Sequence, residues 1–375
     1  MQNLGLNSDI NLGNQRLHVQ TNYSESGATI TANVFDSGRV VESHEAKVAA
    51  GADATTIEAT IKKIHQQVVA DIELLFYIGE KVQQVKHPVS CNKIGQVLLQ
   101  KGFVEHAIKY FELATAVDPK FGEAYNNLGL CYLDLSDLRR AEEILRHGLE
   151  MAPGFADLHL NLGRVHLEKK AWPDAVRTID AALNLNESYF EANYYMGLAL
   201  LNSLAAKSDS TQLPPASIRM KRVFEYMSKA ADIFKPFANE KYQTALSFIE
   251  KEKFEEAVAA FNDCFIETNK RMDLSFENEF FLKFMYGGKG KDNQFIGGYV
   301  ERLKSSIDDY PKYADLHNSL GIAYLIMCRN LFLKALDEFR KALVINPRFK
   351  RAEKNLKLAE NDGKGFLILL RAILK

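Results

Sequence analysis

The chain has 375 residues, of which 47% are apolar and 25% are charged, a composition typical of folded proteins with an apolar core. Its 47 Lys and Arg residues nearly balance its 48 Asp and Glu residues, so the net charge of −1 favours neither nucleic acid nor an anionic membrane as a partner. We expect no signal peptide and no apolar stretch of the roughly 20 residues that cross a bilayer. Four scattered cysteines without a C-x-x-C pair are typical of reduced thiols, which predicts a cytoplasmic protein.

Residues 1–50 predict a small antiparallel β module. Segments 16–23, 28–35 and 39–48 alternate polar with apolar or β-branched side chains, and short Ser/Gly turns separate them. We expect three or four strands. The segment is similar to a small module that precedes repeats in some bacterial proteins, which implies a bacterial source but no activity.

Residues 51–87 predict one long amphipathic helix. Its apolar stripe follows a 4-3-4-4-3-4 spacing, through Ile57, Ile61, Ile64, Val68, Ile72, Leu75 and Gly79. A sheet this small needs a covering element, so we expect the stripe to pack on the sheet and then on the segment that follows. The alternative is a coiled coil that makes the chain a homodimer through residues 55–85, although the stripe has fewer than four clean heptads.

A 34-residue repeat begins after this helix and is marked by Gly95, Gly129, Gly163 and Gly197. Alanine follows the first three glycines by twelve residues, a large apolar residue by sixteen and a small residue by nineteen. These positions are Ala107, Ala141 and Ala175, then Phe111, Leu145 and Ile179, then Ala114, Gly148 and Ala182. Such small residues inside predicted helices indicate that two helix axes approach closely there.

The pattern resembles the tetratricopeptide repeat, a pair of antiparallel helices. The match is closest in 122–155, with Tyr125, Leu128, Gly129, Tyr132, Ala141 and Pro153. The resemblance implies a mainly α fold, an α-solenoid of about seven repeats over 88–350, with capping helices over 351–375. A Ser/Pro-rich insert at 203–217 interrupts the fourth repeat. In the seventh repeat, 314–349, two extra residues between Gly321 and Ala335 predict a longer turn between its two helices.

We find no sequence pattern for catalysis, and we predict no enzyme activity, cofactor or metal. His159 and His166 are seven residues apart, but they occupy the positions of Tyr125 and Tyr132 one repeat earlier, which indicates packing. The Gly- and Lys-rich segment 286–294 lacks the G-x-x-x-x-G-K-[ST] spacing of a phosphate-binding loop. The cysteines and serines form no recognisable nucleophile and base pattern.

The resemblance implies that the first helix of each repeat lines a concave groove. The residue two positions before the glycine should then face that groove, and asparagine there can both donate to and accept from a peptide backbone. The predicted groove set is Lys93, Gln96, Asn127, Asn161, Arg164, Tyr194, Tyr195 and Leu198. We therefore predict a non-catalytic scaffold that binds an extended peptide or partner helix, with the 203–217 insert tuning access. The alternative for the asparagines is a merely solvated polar surface.

Two further alternatives stay open from the sequence. The chain could be a regulatory or targeting subunit whose N-terminal module dimerises or recognises the partner, with the repeats as a spacer. The C-terminal segment joins a basic helix to an apolar run over 366–374, and it is the only candidate for membrane contact. Its other reading is a cap on the open end of the solenoid.

Overall fold

The computed structural model describes residues 5–12, 15–49, 52–208, 210–268, 275–309 and 314–373. These residues form four β-strands and fifteen α-helices, which confirms the predicted fold class, mainly α with a small antiparallel sheet in front. The chain divides into two compact units, Met1–Asn278 and Glu279–Lys375.

The sheet is an antiparallel meander in the order β1-β2-β3-β4, with strands Gly5–Leu12, Gln15–Ser24, Thr29–Asp36 and Arg39–Lys47. The alternation of β2 and β3 places one apolar face inward, with Leu17, Val19, Ile30, Ala32 and Val34 all fully buried. Strand β1 has no counterpart among the three predicted segments. Its residue Ile10 is buried, but its inward-facing Ser8 is polar and hydrogen-bonds His65 at 2.7 Å.

Helix α1 (Ala54–Val85) covers this sheet. It begins at Asp53, whose carboxylate accepts from the Thr56 backbone N–H at 2.7 Å, and it ends at Lys86, which has a left-handed backbone. The buried face of α1 packs on β1, β2, β3 and the next helix, and it carries Ile57, Ile61, Val68, Ile72, Leu75, Ile78 and Val82. Because the chain's own sheet and first repeat cover this stripe, it is not free to form the alternative coiled-coil homodimer.

Five helical hairpins complete the first unit. They are α2 (Pro88–Gln100) with α3 (Val104–Val117), α4 (Gly122–Asp134) with α5 (Leu138–Met151), α6 (Ala156–Glu168) with α7 (Trp172–Leu185), α8 (Phe190–Ala205) with α9 (Ala216–Ile233), and α10 (Glu240–Glu250) with α11 (Phe254–Thr268). In four of them the first-helix glycine meets a large side chain of the second helix. A Cβ placed on Gly129 would lie 2.5 Å from Leu145 Cδ2, and the same closeness holds for Gly95 with Phe111, Gly163 with Ile179, and Gly197 with Met227.

The 203–217 insert consists of the end of α8, a loop, and the first residues of α9. Arg219 is only 4% exposed and holds this loop in place. Its guanidinium donates to Ser203 Oγ at 2.7 Å and to the Ser208 carbonyl oxygen at 2.9 Å. The insert is thus anchored to the fourth hairpin by a buried charge-assisted pair of hydrogen bonds.

The remaining helices are α12 (Ser275–Met285), which crosses the boundary between the units, α13 (Asn293–Asp309), α14 (Ala314–Ile345) and α15 (Lys350–Ile373). The core of the second unit forms around Phe280, Ile296 and Ile326, and the ring of Phe280 stacks on Tyr299 with centroids 3.7 Å apart. The sequence predicts a helical hairpin over 314–349, and this prediction is wrong, because α14 runs through the expected turn as one helix of 32 residues.

Helix α14 also contradicts the expectation of no membrane-length apolar stretch. It is the one helix in the described part of the chain that is long and apolar enough to cross a membrane, with a mean hydropathy of 1.4 over 18 residues, of which 22% are buried. Length and composition alone do not indicate a membrane span, because core helices of soluble proteins meet the same criterion. The side chains of 366–374 lie outside the described residues, so both readings of that segment stay predictions.

Candidate functional site

The first helices α2, α4 and α6 are joined to one another by asparagine pairs. Asn127 Nδ2 donates to Asn92 Oδ1 at 2.9 Å, and Asn161 Nδ2 donates to Asn126 Oδ1 at 2.7 Å. Both pairs span 35 residues, one more than the repeat. The asparagines that the sequence assigns to ligand binding therefore already hold neighbouring repeats in register.

Asn161 extends its pair into a chain that reaches α8. It is 5% exposed, and its Oδ1 accepts from Arg164 NH1 at 2.9 Å. The guanidinium of Arg164 lies 5.2 Å from the ring centroid of Tyr195, within the range of a cation–π contact. The amide oxygen and the amide nitrogen of Asn161 are each hydrogen-bonded, so Arg164 and Tyr195, which are only partly buried, present the accessible surface here.

Lys93 and Gln96 bind an amide of the chain itself. Lys93 Nζ donates to Asn278 Oδ1 at 2.7 Å, and Asn278 Nδ2 donates to Gln96 Oε1 at 2.9 Å. Gln96 Nε2 in turn donates to Glu123 Oε1 at 3.1 Å, and the same oxygen accepts from Asn92 at 2.9 Å. The amide of Asn278 thus has both its oxygen and its nitrogen paired by side chains of α2.

Burial and nearby carboxylates have opposite effects on the pKa of Lys93. Burial lowers the pKa of the Lys93 ammonium, and the charges of Glu123 and Glu277 oppose this lowering. Glu277 Oε1 is buried, and no hydrogen-bond partner for it lies among the described residues. The predicted set did not include Glu123 or Asn278. No feature of the repeat pattern distinguishes Asn278.

Tyr194 and Leu198 do not line an accessible groove, and for these two residues the prediction differs from the structure. Tyr194 is 1% exposed, stacks on Phe265 with centroids 4.1 Å apart, and donates its hydroxyl to Asn262 Oδ1 at 2.7 Å. Burial raises the pKa of the Tyr194 hydroxyl well above its usual value. Leu198 is 7% exposed within the same core.

Two family models described as "Tetratricopeptide repeat" match the chain, one over residues 92–154 and one over 133–201. Residues 92–201 of this chain therefore consist of tetratricopeptide repeats. The chain is 28% identical over 107 residues to the BBSome complex member BBS4 homolog of Drosophila melanogaster, covering 28% of this chain and 22% of that protein. It is 23% identical over 287 residues to the Protein CTR9 homolog of Arabidopsis thaliana, covering 69% of this chain and 26% of that protein. The chain therefore spans about a quarter of the length of these relatives.

Among solved structures, YrrB, a TPR protein with an unusual peptide-binding site, aligns with 54% of this chain and 97% of its own. The two are 16% identical with a TM-score of 0.36, a similarity too distant to carry an argument about binding. The functional argument therefore rests on the side chains of this chain itself.

The two histidines of the third repeat have structural contacts. His159 Nε2 donates to the Pro153 carbonyl oxygen at 3.1 Å, while His166 is 4% exposed and burial lowers the pKa of its imidazole. Within the described ranges, no group of three or more His, Cys, Asp or Glu side chains is placed to hold a metal ion. The polar surface of the first helices therefore offers hydrogen bonding and stacking as its chemistry.

Proposed function

We propose that this protein is a non-catalytic scaffold whose first helices bind an extended segment of a partner protein. Asn278 carries the proposal. Its carbonyl oxygen accepts from Lys93 and its amide nitrogen donates to Gln96, so one planar amide is recognised by a donor and an acceptor together. A residue of an extended segment presents its backbone N–H and C=O to the same side, and these are the same kinds of donor and acceptor. Side chains that satisfy the amide of Asn278 can therefore satisfy the backbone N–H and C=O of one residue of a partner.

Arg164 and Tyr195 supply the second element of recognition. The cation–π contact between them combines the apolar ring of Tyr195 with guanidinium donors of Arg164 that suit partner carbonyl groups. Asn127 and Asn161 support this surface from the side, since each is hydrogen-bonded to the preceding repeat. The proposed site therefore consists of two patches, Lys93 with Gln96 and Arg164 with Tyr195. A role for the 203–217 insert in access to them stays a prediction, as does the cytoplasmic location.

The test uses random peptides displayed on phage and selected against the full-length protein. We expect Lys93→Ala and Gln96→Ala to weaken the selected peptides by about tenfold each, the equivalent of one lost hydrogen bond to a charged or buried group. Asn278→Ala should strengthen binding, because it removes the internal amide that competes for the same two side chains. Lys221→Ala, on α9 with a side chain 80% exposed, is the matched control and should change nothing.

The proposal is wrong if the peptides bind wild type, Lys93→Ala and Gln96→Ala equally well. It is also wrong if Asn278→Ala leaves every affinity unchanged, since the amide of Asn278 would then not occupy the peptide site. Circular dichroism of each variant, compared with wild type, separates lost binding from lost folding.

A further inference from the structure

Six helical hairpins in the described chain are closed by a backbone feature that helix α14 lacks. Six turns between paired helices each contain a residue with a left-handed backbone, with φ between +47° and +80°: Gly102, Ser136, Lys170, Lys207, Glu252 and Gly288. All residues of α14 are described, and none has a positive φ. The repeat pattern places the seventh turn near Asn330, but the helix continues, so its second half cannot fold back on its first half.

The continuous helix leaves Gly321 without the partner that its counterparts have. A Cβ placed on Gly95, Gly129, Gly163 or Gly197 would lie 2.4–2.9 Å from a side chain of the paired helix, whereas nothing lies within 4 Å of one placed on Gly321. The sequence nevertheless contains the large apolar side chain that the repeat pattern pairs with this glycine. With the two extra residues counted, the large apolar position of the seventh repeat is Phe339, flanked by Ala335 and Ala342.

Gly321 and Phe339, which the repeat pattern would bring into contact, lie on the same face of α14. At about 100° per residue, the residues of this face fall within about 80° of the helix circumference. We call them the α14 stripe: Gly321, Tyr324, Cys328, Leu331, Ala335 and Phe339. Tyr324 is 47% exposed and Leu331 60% exposed, Gly321, Cys328 and Ala335 are exposed as well, and Phe339 is partly buried. Helix α15 also packs on α14, where Arg340 donates to Glu360 at 3.0 Å.

The opposite face of α14 holds the helix in its own unit. Asn330 is 4% exposed and its Nδ2 donates to the Gly290 carbonyl oxygen at 3.2 Å and to Asn293 Oδ1 at 3.0 Å. Arg329 donates to the same carbonyl oxygen at 2.6 Å. These anchors fix the rotation of α14, so the α14 stripe faces away from α13.

We propose that the α14 stripe packs antiparallel against the α14 stripe of a second copy of this chain. Gly321 and Phe339 lie nine residues on either side of Asn330. A two-fold axis at the level of Asn330 therefore places Phe339 of each copy on Gly321 of the other and forms the contact twice. A second copy is the favoured occupant because it supplies, in register, the side chains that the repeat pattern requires opposite Gly321. The dimer is an exchange of the second helix of the seventh repeat.

The first test is the mass of the full chain by size-exclusion chromatography with light scattering over a range of concentrations. We expect twice the 42.3 kDa of one chain. Gly321→Glu should raise the dimer dissociation constant at least tenfold, since it places a charge opposite Phe339 of the partner. Gly298→Glu is the matched control, because Gly298 is also a helical, exposed glycine with nothing within 4 Å of an added Cβ. It should leave the dimer intact.

The monomer fold tolerates both substitutions, because each side chain enters open space and each replaces a helical glycine, which costs about 1 kcal/mol relative to alanine. A chain that stays monomeric at every concentration overturns the proposal. A dimer that Gly321→Glu and Gly298→Glu affect equally also overturns it. Flotation with phosphatidylcholine vesicles tests a membrane as the partner of the stripe. If a monomer floats with the vesicles and Gly321→Glu abolishes this flotation, the stripe binds a membrane and the proposed second copy is wrong.

Cys328 gives a second, independent test. With a rise of 1.5 Å per residue and helix axes 8–10 Å apart, the two Cys328 Cα atoms of the dimer would be about 8 Å apart. Cys91, Cys131 and Cys264 are buried, so Cys328 is the exposed thiol among the four. A short bismaleimide should link two wild-type chains and fail with Cys328→Ser. A linked dimer that persists in Cys328→Ser, or no linked dimer in wild type, contradicts the antiparallel arrangement.

Discussion

Gly129→Ala should destabilise the protein although alanine is the better helix former. A Cβ at this position would lie 2.5 Å from Leu145 Cδ2 and 2.6 Å from Leu145 Cγ. Carbon atoms pack best at about 3.5–4.0 Å, so the methyl group overlaps the leucine by about 1 Å. Overpacking of a closed core costs about 1–3 kcal/mol, and the gain in helix propensity returns about 1 kcal/mol. Because Leu145 is fully buried and cannot move aside, we expect a net loss of about 1–2 kcal/mol.

The assay is urea unfolding at fixed protein concentration, with hydrogen exchange of α4 and α5 peptides to locate the effect. Gly298→Ala is the control, since its methyl group meets nothing within 4 Å and should stabilise by about 0.5–1 kcal/mol. Leu145→Ala alone should cost about 2–5 kcal/mol, and the double variant should cost less than the sum of the two single changes. If Gly129→Ala were as stable as wild type, or if the two changes were additive, the close approach at Gly129 would not be what the helix crossing requires.

Three further outcomes follow from polar contacts. Burial lowers the pKa of His65 in the folded chain, so the unfolded chain binds a proton at His65 more readily than the folded chain does. The free energy of unfolding should therefore fall as the pH drops below about 6.5. Thermal unfolding against pH should show a smaller fall in His65→Gln than in wild type. Lys101 Nζ lies 2.6 Å from Glu42 Oε1, with side chains 20% and 12% exposed. Lys101→Met should therefore cost about 1–3 kcal/mol in urea unfolding, and Glu42→Gln in the same chain should recover part of this. Arg219→Ala should release the insert loop and speed tryptic cleavage after Lys207, whereas an unchanged cleavage rate would show that the loop does not depend on that anchor.

The helical hairpins could be predicted because their packing requires particular residue types at a regular spacing in the sequence. Gly129 and Leu145 contact each other in space and recur at the same separation in the neighbouring repeats, so one contact explains both residue types. Strand β1 has no comparable pattern of buried apolar residues. Its inward positions include Ser8, which is satisfied by His65 in another element, and Ile10 is its one buried apolar residue.

The groove could be predicted only in part, because the sequence indicates which helix a residue is on but not which neighbour it pairs with. Lys93, Gln96, Arg164 and Tyr195 lie on the first helices α2, α6 and α8, and their role in binding stays a prediction. Asn161 is on the predicted helix, but its amide nitrogen donates to Asn126 of the preceding repeat and its amide oxygen accepts from Arg164 of its own helix. The 35-residue separation of these asparagine pairs was a visible signal. Asn278 was not, because it lies outside the repeat pattern of α2, α4 and α6.

The seventh hairpin could not be predicted because an excess of two residues has two structural meanings. Either the turn is longer or the helix continues, and the absence of glycine near Asn330 does not decide between them. Lys170 and Glu252 show this, since both adopt a left-handed backbone in working turns without being glycine. Only the continuous backbone of α14 settles the question.

The two extra residues also determine what the continuous helix can bind. In the first three repeats the glycine and the large apolar residue are sixteen residues apart, and on one unbroken helix that separation would place them about 160° apart, on opposite faces. Gly321 and Phe339 are eighteen residues apart, which is five full turns and returns to the same face. An unbroken helix with the ordinary spacing could not present both to one partner. On the continuous helix, the two extra residues are therefore what places Gly321 and Phe339 on one face, as the proposed contact between two α14 stripes requires.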